Sequence, residues 1–194
     1  MNEKSYHHGD LRNALIETGI ELINEEGLKG FSLRKVAARC GVSQAAPYSH
    51  FKDIDDLICA MGRHVTERFT EELRASVSGK ETSPEAVALL GRAYISFFME
   101  NPQYFQFLFY NSGVNIDLNS ENANDYPPFV LFRSAAYQMF QTAGLPQEDF
   151  LPTLIALWSM VHGISSLLTN KGIHYSGNWL DAFSKNIVFR KEKQ

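Results

Sequence analysis

The stretch that decides the fold is SLRKVAARCGVSQAAPYSHF, residues 32–51. It begins with a serine, which is a favoured helix cap, and its apolar residues then follow helical spacing as far as Gly41. A glycine at this position is a common end of a helix, and Ser43 is placed to cap a second helix that reaches about Phe51. The stretch therefore predicts two short helices joined by a tight turn that contains a glycine.

Helical spacing continues through almost the whole chain of 194 residues. Because no alternation of apolar and polar residues bounded by turn signals indicates a strand, we predict an all-α protein of about nine helices. Residues 1–52 are predicted to form a small N-terminal domain, and residues 53–194 a larger helical one. The first helix of the larger domain, 53–75, links the two and ends before a polar break at 78–83.

Composition places the chain among soluble, cytoplasmic proteins. Its 44% hydrophobic residues can bury a core, and no signal peptide or uninterrupted apolar run of about 18 residues is evident. The two cysteines are too few for a disulfide scaffold. The net charge is −4, yet residues 27–52 contain five lysines and arginines and no acidic residue. This local basic window, which could also be an ordinary solvated face, coincides with the two short helices.

Two helices crossed on a glycine turn are typical of the helix-turn-helix, whose second helix enters the DNA major groove. The amide of Gln44 can read a base edge, and the small Ala45 lets the backbone approach it. Tyr48 and His50 suit phosphate contacts, and Arg34 with Lys35 would reach the opposite phosphate wall. The full predicted DNA-binding set is Ser32, Arg34, Lys35, Ser43, Gln44, Ala45, Tyr48, His50 and Lys52.

The segment AARCGVSQAAPYSHF, residues 37–51, resembles the DNA-binding domain of TetR-type transcriptional repressors. YHHGDLRNAL at residues 6–15 and WSMVHG at 158–163 resemble one branch of that family, which carries a C-terminal Trp-x-x-x-His-Gly motif. The family usually has a lysine or arginine three residues after the phenylalanine, where this chain has Ile54. Lys52 is close enough to take over that phosphate contact.

The resemblance implies a homodimer whose recognition helices lie about 34 to 36 Å apart on a palindromic operator. It also implies that the last two helices pair with those of the partner. Apolar residues surround much of the penultimate helix, which suits a helix covered on two sides, although a monomer core would also explain them. The predicted dimer contacts are Ile155, Ile164, Leu168, Trp179, Phe183 and Ile187.

Eight of the seventeen residues from 94 to 110 are aromatic. Most such rings are expected to be core, but the family resemblance implies a cavity here for a small, apolar or aromatic effector that relieves repression. His162 is at least as well explained as a buried core histidine. The predicted ligand-binding set is Arg92, Phe97, Phe98, Phe107, Tyr110, Arg133, Tyr137, Trp158 and His162.

Other functions have less support in the sequence. No catalytic or nucleotide-binding motif occurs, and the adjacent histidines at 7 and 8 make a poor metal chelate, so we expect no enzyme, metal site or cofactor. A helical ligand-binding or interaction protein without DNA activity is the main alternative, because the net charge is negative and Ile54 replaces a basic residue. Salt dependence separates the two, since only DNA binding weakens steeply as salt rises.

Overall fold

The computed structural model describes residues 11–120, 122 and 125–187, and this part of the chain is helical without a strand, which confirms the all-α prediction. The α-helices are α1 (Leu11–Glu26), α2 (Leu33–Arg39), α3 (Ile54–Ser76), α4 (Ala86–Glu100), α5 (Pro102–Tyr110), α6 (Pro127–Ala143), α7 (Phe150–Thr169) and α8 (Trp179–Ile187). Two short 3-10 helices occur at Ala46–Ser49 and Gln147–Asp149. The first of them stands where a ninth α-helix was predicted.

The chain divides into two compact units. The first takes its described residues from Met1–Val65 and Gln106–Val114, and the second takes them from Thr66–Phe105 and Asn115–Gln194. The division falls inside α3, so this helix supplies residues to both units. The domain boundary expected between residues 52 and 53 stays a prediction.

The first unit is organised by local signals that the sequence shows plainly. Gly27, with φ of +77°, follows the last residue of α1. The Ser32 hydroxyl accepts a hydrogen bond from Lys35 N (3.3 Å), which confirms Ser32 as the cap of α2. At the start of α3, Asp53 Oδ1 accepts from Asp56 N at 2.9 Å. These caps fix where α2 and α3 begin.

The second unit has a core of aromatic rings. Phe69 of α3 lies within 4.8 to 5.0 Å, between ring centroids, of Tyr94, Phe97 and Phe98 of α4. Trp158 of α7 meets Tyr94 edge to face at 5.3 Å. Most of these rings therefore pack against each other as core, which is the simpler of the two explanations for the aromatic run.

The segment Gln147–Thr169, which contains α7, is long and apolar enough to cross a membrane by length and composition alone. Its mean hydropathy is 1.5, yet only 28% of the apolar window is buried within the chain. A single segment of this kind is weak evidence for a membrane, because core helices pass the same test. The low burial does show that α7 leaves apolar surface uncovered by its own chain.

Candidate nucleic-acid interface and effector site

The segment from Ser43 to Phe51 forms successive tight turns instead of the predicted α-helix. Backbone hydrogen bonds span three residues: Ala46 N donates to Ser43 O (3.0 Å), and Tyr48 N donates to Ala45 O (3.1 Å). Pro47 has no N–H and cannot donate to Ser43 O, so the first four-residue bond of an α-helix is impossible here. The 3-10 helix at Ala46–Ser49 begins without a side-chain cap, so the prediction that Ser43 caps a helix was wrong.

Gln44, Ala45 and Tyr48 are exposed, and Tyr48 shows 58% of its surface to solvent although it is a large aromatic residue. Gly41 precedes them with φ of +70°, a conformation that side chains disfavour and that turns the chain out of α2. His50 is only half-buried, and its ring centroid lies 6.3 Å from that of Phe51. The short segment thus presents an amide and a phenol to solvent.

A shallow depression of about 280 Å³ brings several predicted residues together. Ser32, Tyr48 and Lys52 line it, and so does Ile54, the residue at the position where a basic one was expected. Asp53 also lines it, and its carboxylate caps α3. A hydroxyl, a phenol and an ammonium group around one depression are suited to binding a phosphate, although Asp53 opposes an anion there.

Two cations of the basic window are neutralised by the end of α1. Lys35 Nζ lies 2.7 Å from Glu26 Oε2, and Arg39 donates to both carboxylate oxygens of Glu25 at 2.8 Å. The bond from Lys35 lowers the pKa of Glu26. Arg34 is exposed and has no ion-pair partner among the described residues. The predicted phosphate contact of Lys35 therefore competes with an internal ion pair, which the sequence did not reveal.

A polar pair lies inside the aromatic core of the second unit. The Tyr94 hydroxyl and His162 Nδ1 are 2.9 Å apart, and the His162 ring lies 5.1 Å from Phe105. Burial lowers the pKa of His162 and raises the pKa of Tyr94, so both are neutral near pH 7. We assign the hydroxyl as the donor and Nδ1 as the acceptor. Trp158 and His162, two members of the predicted ligand set, thus both contact Tyr94.

The other predicted ligand-binding residues are dispersed. Arg92 is exposed and donates to Ser184 Oγ (2.7 Å), which makes it a surface link between α4 and α8. Phe107 and Tyr110 belong to the first unit; Phe107 is fully buried, and Tyr110 is 62% exposed. Phe97 and Phe98 are core residues, and Phe97 also edges a groove of about 620 Å³ between α3 and α4. Arg133 is buried, and Tyr137 lines a cavity of about 420 Å³.

The predicted dimer contacts also differ in exposure. Ile155 is 38% exposed, and Ile164, Leu168 and Trp179 are partly exposed. Phe183 is fully buried in its own chain, so its assignment as a dimer contact was wrong. The side chain of Ile187 lies outside the described residues, as do His7 and His8. No cluster of three or more potential metal ligands occurs within residues 11–120, 122 and 125–187.

Two family models match the chain. Residues 87–187 match the tetracyclin repressor-like C-terminal domain, and residues 15–61 match the bacterial regulatory proteins of the tetR family. The chain belongs to the TetR family.

Curated relatives match over part of their length. The class C tetracycline repressor of Escherichia coli is 35% identical over 80 residues, or 37% of this chain and 36% of that protein. The fatty acid metabolism regulator of Bacillus subtilis is 26% identical over 76 residues, 39% of each chain. The chain thus spans well under half the length of these relatives in the alignments. Families and relatives alike are transcriptional regulators, not enzymes.

Solved structures match over nearly the whole chain. A Rhodococcus protein of unknown function has a TM-score of 0.69 and 25% identity, with 94% of each chain covered. The structure of the regulator FadR of B. subtilis in complex with stearoyl-CoA also has a TM-score of 0.69. It is 15% identical and covers 89% of this chain and 94% of that one. At that identity the likeness to FadR shows the TetR fold alone.

Proposed function

We propose that this TetR-family protein is a sequence-specific transcriptional repressor that a small effector releases from a palindromic DNA operator. One observation carries the proposal. An exposed Gln44 and an exposed Tyr48 follow a glycine turn, within the residues that match the tetR family model. Amide groups discriminate bases, and a phenol beside a cation binds backbone phosphate, so the segment combines sequence reading with positioning.

Lys52 supplies the phosphate contact in place of the basic residue that the family usually has at position 54. Lys52 and Ile54 line the same depression as Ser32 and Tyr48, so a phosphate held there is within reach of the Lys52 ammonium group. A flexible lysine side chain tolerates a shift of two positions in the chain, because its charge lies at the end of a four-carbon stem. Arg34 contributes a second phosphate contact, since it is exposed and no carboxylate of the described residues pairs with it.

The repressor acts as a homodimer through α7 and α8. The exposed face of α7 carries Ile155, Ser159, Gly163 and Leu167 at four-residue intervals. Apart from its own helix backbone, a β-carbon at position 163 would meet no atom of the described residues within 4 Å, so packing among those residues does not require a glycine there. A glycine in mid-helix costs about 1 kcal/mol relative to alanine, and close approach by a partner helix would offset that cost.

The effector binds in the second unit, near the neutral Tyr94–His162 pair. Both residues lie among aromatic rings, and His162 belongs to the Trp-x-x-x-His-Gly motif, so we infer that this protein is of the branch that carries it. A largely apolar ligand fits such a lining. The helix α3 supplies residues to both units, so an effector that prefers one arrangement of α3 would weaken operator binding. By linkage, DNA would weaken effector binding by the same factor.

Selection of bound duplexes from a random pool tests the proposal. The expected result is one palindromic sequence whose half-sites lie about one helical turn apart, bound with an affinity that falls steeply with salt. Tyr48→Ala should weaken binding to all duplexes, while Gln44→Ala should mainly relax the sequence preference. Gln138→Ala, which removes an exposed amide of the second unit, is the matched control. If wild type and Tyr48→Ala bind DNA equally well, the proposal is wrong, and the alternative of a helical ligand-binding protein without DNA activity remains.

A further inference from the structure

A cavity of about 420 Å³ lies in the second unit, away from the Tyr94–His162 pair, and three elements form its walls. Asn119 comes from the segment before α6, Tyr137 and Gln141 come from α6, and Gln147, Phe150 and Leu151 come from the 3-10 helix and the start of α7. The volume falls within the range of about 300 to 1,000 Å³ that small-molecule sites occupy. It is therefore large enough for one or two sugar-sized rings.

The polar groups around this cavity are all uncharged. Three solvent-exposed side-chain amides (Asn119, Gln141 and Gln147) and the half-buried Tyr137 phenol line it, and no side-chain hydrogen bond joins these four residues to others that the structure describes. An amide both donates and accepts, which matches a ligand hydroxyl that does the same. No lining residue carries a charge to compensate an ion, and the neighbouring Glu148 and Asp149 disfavour an anion further.

One side of the cavity is apolar. The rings of Tyr137 and Phe150 pack with centroids 5.3 Å apart and planes tilted by 59°, and Leu151 lies beside them. Such a surface buries the apolar face of a ligand, while the amides bind the polar edges. A pyranose ring presents this combination, because its C–H groups form an apolar face and its hydroxyls lie around the rim.

The wall that carries Asn119 is held in place by a buried cation. Arg133 lies one turn before Tyr137 and two turns before Gln141, on the same face of α6. Its guanidinium donates to Ser120 O and to Asn122 O (3.1 Å), and it lies 3.4 Å from Asp125 Oδ2. Only 7% of Arg133 is exposed, and burying a charge is costly unless such partners compensate it. The residue next to Asn119 is thus fixed before any ligand arrives, which favours binding.

We propose that this cavity binds an uncharged, polyhydroxylated ligand of mono- or disaccharide size. This site is additional to the effector site proposed in the aromatic core. Its test is independent of the test of DNA binding. The amides of Gln141 and Gln147 bind hydroxyls from opposite walls, the Tyr137–Phe150 pair packs on the sugar ring, and Asn119 closes the third side.

Calorimetric titration of the full-length protein without DNA tests this site. The probes are glucose, galactose and maltose, with glucuronate as the anionic counterpart that keeps the pyranose ring. We expect at least one neutral sugar to bind, and glucuronate to bind about tenfold more weakly than that sugar or not at all. Gln141→Ala and Tyr137→Phe should each weaken that binding about tenfold, the effect of losing one well-placed hydrogen bond.

Gln138→Ala is the matched control, because it removes an exposed amide from the same helix away from the cavity. Absence of binding by all three neutral sugars at millimolar concentration would overturn the proposal. So would equal binding by the Gln141→Ala and Gln138→Ala variants, or preferential binding of a charged probe. None of these results bears on operator binding, which is measured separately.

Discussion

The ring of Phe183 in α8 lies against the backbone of Gly91 in α4. A β-carbon at position 91 would be 2.2 Å from Phe183 Cζ and 3.0 Å from each Cε, far inside normal contact distance. Since Phe183 is fully buried, moving its ring away would disturb the side chains that cover it. The pair fixes how closely α8 approaches α4.

Gly91→Ala should therefore destabilise the protein. The helix propensity of alanine offers a gain of about 1 kcal/mol, whereas overpacking a rigid core costs about 1 to 3 kcal/mol. A net loss in the free energy of unfolding is expected in chemical denaturation, and combining the change with Phe183→Leu should recover part of it. A Gly91→Ala variant as stable as wild type would contradict the close approach of the two helices.

Gly163→Ala should not lower the stability of a single chain, because the added methyl group meets no atom of the described residues beyond its own helix backbone. If a second copy covers the exposed face of α7, the methyl group should raise the dissociation constant of the dimer. Leu167→Asp, on the same exposed face, should raise it further by burying a charge. Sedimentation equilibrium measures both effects, with Ser134→Ala on α6 as control. Unchanged dimer affinity in both variants would exclude this face as the interface.

The phosphate contact of Lys52 should be visible in the salt dependence of operator binding. Lys52→Ala should weaken binding and reduce the slope of log affinity against log salt by about 1, as expected for one lost phosphate contact. Ile54→Lys should strengthen binding and increase the slope by a similar amount. Lys171→Ala, an exposed lysine of the second unit, should leave the slope unchanged. If Lys52→Ala also leaves it unchanged, Lys52 does not contact DNA.

His162 should make stability fall as the pH is lowered. Burial depresses the pKa of its imidazole below the ordinary value of about 6.5, so the unfolded chain binds a proton that the folded chain resists. Above pH 6.5, neutral His162 makes its full contribution to the free energy of unfolding. Below pH 6.5 this contribution declines until the pH reaches the pKa of His162 in the folded protein. The free energy of unfolding can be measured by chemical denaturation at pH values from about 7.5 to about 5. It should decline less over this range for His162→Gln than for wild type. His174→Gln, an exposed site, is the control, and identical declines for wild type and His162→Gln would contradict the assignment.

Local chemistry made much of the first unit predictable. Ser32 caps α2 through a bond within its own turn, Gly27 and Gly41 take positive φ values next to helix ends, and helical spacing marks α3 to α8. Each of these features depends on residues within about one turn of each other. The absence of an α-helix after Ser43 also has a local cause, since Pro47 has no N–H to donate within a segment barely two turns long.

The candidate sites depended on contacts between distant parts of the chain. Arg39 pairs with Glu25, which spacing in the sequence does not indicate, and Arg92, predicted to bind a ligand, donates to Ser184 instead. Periodicity indicates which face of a helix is apolar, but it does not say which other helix will cover that face.

The sequence by itself determined an all-helical chain, its glycine turn and its resemblance to TetR repressors, because helix caps, turns and periodicity are properties of neighbouring residues. Only the tertiary structure decided that Phe183 packs inward on Gly91 and that Lys35 is paired with Glu26. It also decided that the amide-lined cavity exists beside Tyr137. These contacts depend on how closely the helices pack and on which side chains then meet. The distance between two helices is set jointly by residues that lie far apart in the sequence.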